Sequence, residues 1–387
     1  MKKIENIKIK NNFLNLNFKK NNLKKEKSRL NLEKILKQIH TKDSIFNILN
    51  KKFKYSFSKK DIKSYQKFET VHIIGMGGSI LGAKAIYSFL EHRIKKKFVF
   101  IDNLNEPNMK IYKNSRSLKK ILFIIISKSG NTIETLTNLN LIEKINLNKK
   151  NTIIVTENKN NRLKQFAQKN DISIIPHRTN VGGRYSVLSE IGMLPAILMG
   201  LNDLKFKNSL FKFFQKKQKK ILEESSLKLT DIYLSKKISS IIFFNYCPQL
   251  NDFLFWCQQL IAESLGKKGY GLLPVISSAP KDHHSLLQLY LDGPKDKIFY
   301  VFSSNRFIDK KISKVVNAQK KAFIQILKKK NFLFREINVS TFSEDSLGEL
   351  FIYFILETVL VGKLMGIDPF NQPAVEEVKI LTRKYLH

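Results

Sequence analysis

The sequence predicts an α/β protein of two tandem sandwiches, each with a parallel sheet flanked by helices. Short continuous apolar runs alternate with helix-like stretches, and this alternation occurs twice, with a Lys-rich connection around 202–220 between the two series. Strands that are apolar on both faces are typical of a parallel sheet covered on each side. The 387 residues and 43% apolar content are sufficient for two packed cores.

The individual elements follow from these runs. Predicted strands of the first series lie at 71–75, 97–102, 122–127, 152–156 and 172–176, with helix-like stretches at 132–145 and 187–201. In the second series we expect strands at 238–245, 271–277, 297–303 and 332–339, and helices at 251–265, 283–291, 311–329 and 344–366. The predicted parts are an N-terminal lead-in (1–45), a first sandwich (46–201), a second sandwich (202–360) and a C-terminal helical tail (361–387).

The charge of the chain is strongly positive, with a formal net charge of +37. Only 9 of the 69 basic residues are arginine, and the lysines are scattered in short runs through every segment. Proteins that read nucleic acids concentrate Lys and Arg on one face. The dispersion therefore favours solvated surfaces that attract anions nonspecifically, and no specific nucleic-acid partner is expected.

The remaining composition indicates a reduced, cytoplasmic protein with no membrane partner. Cys247 and Cys257 lie in one apolar region without metal-ligand spacing, so we expect buried thiols. The N-terminus has no continuous apolar segment followed by a cleavage site. The most apolar stretch, 350–367, contains Glu357 and Lys363, which favours a buried helix over a membrane span.

The stretch VHIIGMGGSILG at 71–82 is a glycine-rich turn between a strand and a helix. Ile80 stands where a dinucleotide-binding turn needs its third glycine, and no Lys-Ser/Thr pair of a P-loop follows. Free backbone amides, Gly78 and the Ser79 hydroxyl at a helix N-terminus can still hold an anion. The alternative is a tight turn without a ligand.

A second turn of the same kind occurs in IIISKSGNTIETL, at 124–136. Its hydroxyl groups come from Ser127, Ser129 and Thr132, and Lys128 lies between the two serines. Ligands bind beyond the carboxyl ends of strands in an open parallel sheet, so both turns can converge on one anion. Hydroxyls without a nearby metal-ligand set suit a phosphomonoester better than ATP.

Together, GMGGSILG and SKSGNTIET resemble the sugar-phosphate isomerase (SIS) fold, whose domains are flavodoxin-like. Further stretches resemble the glucose-6-phosphate isomerase family and occur in that family's order: 180–196, 258–275, 283–294 and 368–379. The resemblance implies reversible aldose-ketose isomerisation of glucose 6-phosphate and fructose 6-phosphate, through ring opening and a cis-enediolate. It implies neither a cofactor nor a metal.

Isomerisation needs a base that moves a proton between C2 and C1, and a fixed positive charge for the enediolate. Glu263, among apolar neighbours in QLIAESLGK, takes the family's proton-shuttling position. Arg184 in GGRYS matches the arginine that faces the enediolate oxygens. Arginine is scarce in this chain, which indicates a geometry that lysine cannot supply.

Ring opening needs an acid/base pair, and the resemblance assigns it to His284 and Lys379. His284 would reach the active site of a second subunit, which implies a homodimer. Many family members have glutamine where this chain has His283. Glu190 also departs from the family, which commonly has small or apolar residues there, and no role is assigned to it.

The sequence also allows other interpretations of its function. The chain could be a sugar-phosphate sensor that kept the fold and lost the chemistry, although sensors usually carry an attached effector domain. It could also be an isomerase that accepts mannose 6-phosphate as well. A nonspecific nucleic-acid binder driven by the +37 charge would give no reason for Glu263 at its position.

Overall fold

The fold was analysed in a computed structural model, which describes residues 5–13, 22–104, 120–142, 147–306 and 309–386. The strands of these ranges are β1 (Ile7–Asn11), β2 (Thr70–Gly75), β3 (Lys97–Ile101), β4 (Ile121–Ile126), β5 (Thr152–Glu157), β6 (Ser173–His177), β7 (Ser240–Asn245), β8 (Leu273–Ser278), β9 (Lys297–Ser304) and β10 (Leu333–Val339). The α-helices are α1 (Asn22–Gln38), α2 (Leu81–Leu90), α3 (Ile133–Ile142), α4 (Arg162–Lys169), α5 (Glu190–Leu198), α6 (Lys216–Ser235), α7 (Asn251–Leu265), α8 (Leu287–Asp292), α9 (Lys310–Lys329), α10 (Glu344–Met365) and α11 (Pro373–Tyr385).

Two five-stranded sheets form the centres of the two sandwiches. The first has the strand order β3-β2-β4-β5-β6, and all its pairs are parallel. The second has the order β1-β10-β9-β7-β8, in which only β1 is antiparallel to its neighbour. The predicted class of two parallel-sheet α/β sandwiches is confirmed, and every predicted strand lies at its expected place.

Strand β1 is a feature that the sequence analysis did not predict. It belongs to the predicted N-terminal lead-in, yet it pairs with β10 in the second sheet. Helix α1 likewise packs against α6 and α10 of the second sandwich. The five residues IKIKN carry little pattern of their own, and their pairing depends on a strand more than 300 residues away.

The hydrophobic core runs through both sandwiches and across the boundary between them. Strands β4 and β5 are buried along their whole length, as expected for a sheet covered on both faces. Helix α2 of the first sandwich packs against α7 of the second. Helix α10 is buried continuously from Ser346 to Gly362, which confirms the prediction of a buried helix in this region.

Two further predictions from composition can be compared with the structure. Cys247 and Cys257 are both buried free thiols, as predicted. In the described ranges, no helix combines the length and the apolar character that a membrane span requires.

Candidate active site

The two predicted anion-binding turns are neighbours at one edge of the first sheet. Strands β2 and β4 pair in parallel, with Gly75 opposite Ile126, so the turns that follow them leave the sheet side by side. The connection from β2 leads to β3 on one side, whereas β4 lies on the other. Such a reversal of strand order creates the crevice in which open α/β sheets bind ligands.

The Ser127 turn is closed by hydrogen bonds among its own groups. The Ser127 hydroxyl accepts from the backbone N–H of Gly130 at 3.1 Å and lies 3.0 Å from the Thr132 hydroxyl. Gly130 has a φ of +66°, and a Cβ there would lie 1.9 Å from Oδ1 of Asn161. The turn therefore has one shape that only glycine permits, with α3 beginning directly behind it.

Ser129 and Lys128 lie at the outer side of this turn. The exposed Ser129 accepts from the backbone N–H of Asn131 at 3.3 Å. The Lys128 ammonium donates to the Thr179 carbonyl at 2.7 Å and lies 3.5 Å from Oε1 of Glu157. Burial lowers the pKa of Lys128, although Glu157 opposes that shift. Protein groups thus hold this ammonium at the rim of the crevice.

The first turn touches the arginine loop backbone to backbone. Ser79 is buried at the end of a 3-10 turn, Gly77–Ser79. A Cβ on Gly78 would lie 2.2 Å from the carbonyl carbon of Gly183, so the absence of a side chain permits this approach. The hydroxyl of Ser186 also donates to the Gly78 carbonyl at 3.3 Å. Gly78 therefore has a packing role that sequence reasoning, which assigned it to the anion, did not foresee.

Arg184 is buried at the meeting point of the two sandwiches. A 3-10 turn, Gly183–Leu188, directs its side chain toward the end of α7. There Nη1 donates to Oε2 of Glu263 at 3.0 Å and Nε donates to the Ser264 hydroxyl at 2.8 Å. The structure thus brings together the predicted cation from the first sandwich and the predicted base from the second.

The segment before α11 closes over the other side of the guanidinium. Nη2 of Arg184 donates to the carbonyls of Pro369 and Asn371 at 2.7 and 3.1 Å, and Nη1 donates to Oε1 of Gln372 at 2.7 Å. The Tyr185 hydroxyl donates to the same Pro369 carbonyl at 2.9 Å. These contacts fix the planar guanidinium in one orientation, which a lysine could not reproduce.

Glu263 presents its carboxylate to polar partners rather than to the apolar residues beside it in the sequence. Leu260 and Leu265 are buried, whereas the Glu263 side chain retains 29% exposure. Gln259, one helical turn earlier, donates to Oε1 at 3.0 Å. A Cβ on Gly77 would lie 2.9 Å from Nε2 of Gln259, so this amide also lies against the first anion-binding turn.

The two adjacent histidines have different surroundings. His283 Nε2 lies 2.7 Å from the Tyr246 hydroxyl, and its ring packs against Phe244 and Phe323. Burial, followed by the charge of His284, lowers the pKa of His283. His284 is exposed on the second sandwich. Of the two rings, His284 is therefore the one that a second subunit could meet.

Lys379 lies on α11, whose residues are exposed along its whole length. Its ammonium donates to Oε1 of Glu376, one turn earlier, at 2.7 Å. This pair lies on the helix surface, so Lys379 is not among the groups that contact Arg184.

Sequence reasoning missed several contacts of the candidate site. They are made by Gln259, Ser264 and Gln372. Gln259 could have been found from its i, i+4 spacing to Glu263 on one helix face. Gln372 gave no such signal, because its contact depends on how the segment before α11 folds. Within the described ranges, no group of three or more His, Cys, Asp or Glu side chains is arranged to bind a metal.

Comparisons with known proteins identify the family and the fold of this chain. Residues 50–270 match the family described as phosphoglucose isomerase. A glucose-6-phosphate isomerase from Methanocaldococcus jannaschii is 35% identical over 82% of this chain and 84% of its own length. One from Campylobacter jejuni is 30% identical, covering 90% and 91%. The crystal structure of a glucose-6-phosphate isomerase from Chlamydia trachomatis has the same fold, with a TM-score of 0.73, 18% identity, and 93% and 73% coverage.

Proposed function

The chain belongs to the phosphoglucose isomerase family, and on that premise we propose that it interconverts glucose 6-phosphate and fructose 6-phosphate. The observation that carries the proposal is the contact of Arg184 with Glu263 at 3.0 Å, beside the crevice of the two anion-binding turns. A base and a fixed cation at one point are the two groups that an enediolate mechanism requires.

The phosphate end of the substrate is held by the two turns. The groups that we assign to it are the amides and side chains of Gly78, Ser79, Ser127, Lys128, Ser129 and Thr132. Helix α3 adds the partial positive charge of its N-terminus. Because the phosphate does not react, its binding energy orients the sugar against Glu263.

The reaction then takes place at C1 and C2. After ring opening, Glu263 takes the proton from C2 of the aldose and delivers it to C1 of the enediolate, while the hydroxyl proton of O2 passes to O1, which gives the ketose. The enediolate oxygens become negative in between, and Arg184 stabilises them. Its rigid hydrogen-bonded position matters, because a preorganised cation needs no reorganisation when the charge develops.

Ring opening is assigned to His284 and Lys379, with His284 supplied by the partner subunit of a homodimer. The exposure of His284 supports this assignment, because an exposed ring is accessible to a second subunit. We also place the enzyme in the cytoplasm, since its two cysteines are buried free thiols.

A coupled assay tests the activity. Purified protein with fructose 6-phosphate and a chelator should form glucose 6-phosphate, detected by a dehydrogenase specific for that product. Glu263→Gln should lower kcat by roughly 1,000-fold or more, while Glu224→Gln on the exposed surface of α6 should leave it unchanged. Binding without any wild-type turnover would mean a sugar-phosphate sensor. Substantial turnover by Glu263→Gln would remove Glu263 from its role.

Complementation between two inactive variants tests the dimer. A heterodimer of Glu263→Gln and His284→Ala has one site with both changes and one site with neither, if His284 acts across the interface. Mixing the variants under conditions that exchange subunits should restore about a quarter of wild-type activity. A mixture that stays inactive although heterodimers form would show that His284 does not act in the neighbouring site.

A further inference from the structure

A buried contact between His177 and Glu190 connects the two ends of the loop that carries Arg184. His177 is the last residue of β6, and Glu190 is the first residue of α5. Both side chains are inaccessible to solvent, and Nδ1 of His177 lies 3.5 Å from Oε2 of Glu190. Residues 178–189 run between them, so the pair spans the base of the whole loop.

Both ring nitrogens of His177 face acceptor oxygens. Nε2 lies 3.2 Å from the Val181 carbonyl, which can only accept, so this nitrogen carries a hydrogen. Nδ1 faces the carboxylate of Glu190, which is a second acceptor. The Val181 contact also ties the first part of the loop to the end of β6.

Glu190 ties the second end of the loop to a different part of the first sandwich. Its Oε1 accepts from the backbone N–H and the hydroxyl of Ser56, at 3.1 and 3.0 Å. Burial by itself raises the pKa of Glu190, but the contact with His177, the hydrogen bonds from Ser56 and the place of Glu190 in the first turn of α5 outweigh burial and leave that pKa lowered. The carboxylate of Glu190 is therefore held between the His177 ring and the Ser56 segment.

Other charged and titratable groups complete the environment of the pair. Tyr55 and Lys207 both interact electrostatically with Glu190, and Asp203 interacts with both of them. Arg178 acts on Lys207 and stacks on Phe53, with its guanidinium carbon 4.5 Å from the ring centre. Arg178 itself belongs to the Arg184 loop, so the loop meets this cluster along its first half as well.

The contacts of Arg184 explain why the loop needs such an anchor. All the hydrogen-bond partners found for the guanidinium lie on α7 or on residues 369–372, outside the first sandwich. These contacts hold the tip of the loop, whereas His177 and Glu190 hold its base. A buried polar pair contributes little net stability compared with a well-packed apolar pair, so the geometric effect of the His177–Glu190 contact is the more significant one.

We propose that His177 and Glu190 are positioning residues that fix the Arg184 loop against the first sandwich, so that the guanidinium meets the developing enediolate. This inference rests on the proposed isomerase function. It predicts that kcat and KM respond differently to changes in the pair. The loop acts at the reacting carbons, whereas the two anion-binding turns contribute to substrate binding. Weakening the pair should lower kcat and leave KM nearly unchanged.

The variant Glu190→Gln tests the pair with little change in shape, because its amide oxygen can still accept from Ser56. Its matched control is Glu344→Gln, since Glu344 is also a buried glutamate at the start of a helix, paired with Arg93 away from the site. We expect both variants to lose thermal stability. Only Glu190→Gln should lower kcat, by about 10-fold or more, with KM for fructose 6-phosphate within about twofold of wild type.

Two further measurements keep the result decisive. Hydrogen exchange should show faster exchange of amides at 181–189 in Glu190→Gln and not in Glu344→Gln, and this readout does not depend on turnover. The double variant His177→Gln/Glu190→Gln should lose no more kcat than Glu190→Gln alone, because the two groups act as one unit.

The outcomes separate this inference from the proposed function. Glu190→Gln and Glu344→Gln could lose equal stability while kcat and the hydrogen exchange of the loop stay unchanged. The pair would then be merely structural, which would overturn this inference but not the proposed function. A rise in KM at constant kcat would also overturn it. A wild-type protein without turnover would refute the isomerase proposal, whatever the exchange data show, and with it the link from the pair to the enediolate.

Discussion

Nη1 of Arg184 donates to Oε2 of Glu263 at 3.0 Å, across the boundary between the two sandwiches. The arginine comes from a loop of the first sandwich, and the glutamate comes from the last turn of α7 in the second. Neither sandwich contains both groups. The candidate site therefore exists only when the two sandwiches pack together, and α2 against α7 provides that packing next to the site.

We expect Arg184→Lys to lower kcat by about 100-fold or more, because one ammonium cannot replace the fork of donors that meets Glu263, Ser264 and the 369–372 segment. Steady-state kinetics with fructose 6-phosphate measures this loss. Arg162→Lys is the control, since Arg162 is an exposed arginine at the start of α4, outside the Arg184 loop. Equal kinetic effects of the two variants would contradict a specific role for Arg184.

The contact between Gly78 and Gly183 predicts that an alanine at Gly78 destabilises the protein more than an alanine at Gly183 does. A Cβ on Gly78 would lie 2.2 Å from backbone, whereas a Cβ on Gly183 would lie 3.6 Å from the nearest atom, an ordinary contact. We expect Gly78→Ala to lower the free energy of unfolding by about 2 kcal/mol or more, and Gly183→Ala to change it by less than about 1 kcal/mol. Urea denaturation of both variants measures the difference, and similar losses would refute the close approach as the reason for Gly78.

The sheets could be predicted from sequence because their strands are continuous apolar runs. ILFIII of β4 and TIIVTE of β5 are buried on both faces, so composition alone identifies them. IKIKN of β1 alternates apolar residues with lysine in a chain full of lysine, and only its partner β10 makes it a strand. Local pattern is sufficient for buried elements, whereas an edge strand depends on tertiary pairing.

The residues of the candidate site that lie in local sequence motifs could also be predicted, whereas those whose contacts depend on the fold could not. Glu263 and Arg184 lie in sequence motifs, and they are the residues that the structure brings together. The contact of Gln372 with Arg184 depends on chain reversal before α11, which no local pattern encodes. Glu190 had no assigned role in the sequence, because its partner His177 lies across a loop and both are hidden from solvent only in the folded chain.

A buried ion pair in the second sandwich should cost less stability when both of its residues are replaced than when only one is. The guanidinium of Arg335 donates twice to Glu357, at 2.7 and 2.9 Å, and is fully buried. Arg335→Met or Glu357→Leu alone should lower the free energy of unfolding by roughly 3–5 kcal/mol, since each leaves a buried charge unpaired. The double variant should recover at least half of that loss in urea denaturation, and strictly additive losses would contradict this account.

Lys207 is a buried lysine whose charge depends on pH near neutrality. Its ammonium lies 4.7 Å from the Phe53 ring centre and 4.8 Å from that of Tyr55. Burial lowers its pKa to about 7, although attraction to Asp203 and Glu190 opposes the shift. In the unfolded chain a lysine keeps its proton until about pH 10.

The sign of the pH dependence follows from this difference. Between about pH 7 and 10 the unfolded state binds more protons at this lysine than the native state does, so the free energy of unfolding rises with pH. Below pH 7 both states are protonated and the contribution is constant. We therefore expect the stability of Lys207→Met relative to wild type to fall by roughly 2 kcal/mol between pH 7 and pH 9. Urea denaturation at the two pH values measures it, and Lys205→Met, at an exposed lysine of the same turn, should show no such change. A relative stability of Lys207→Met that is the same at both pH values would mean that Lys207 keeps its charge throughout this range.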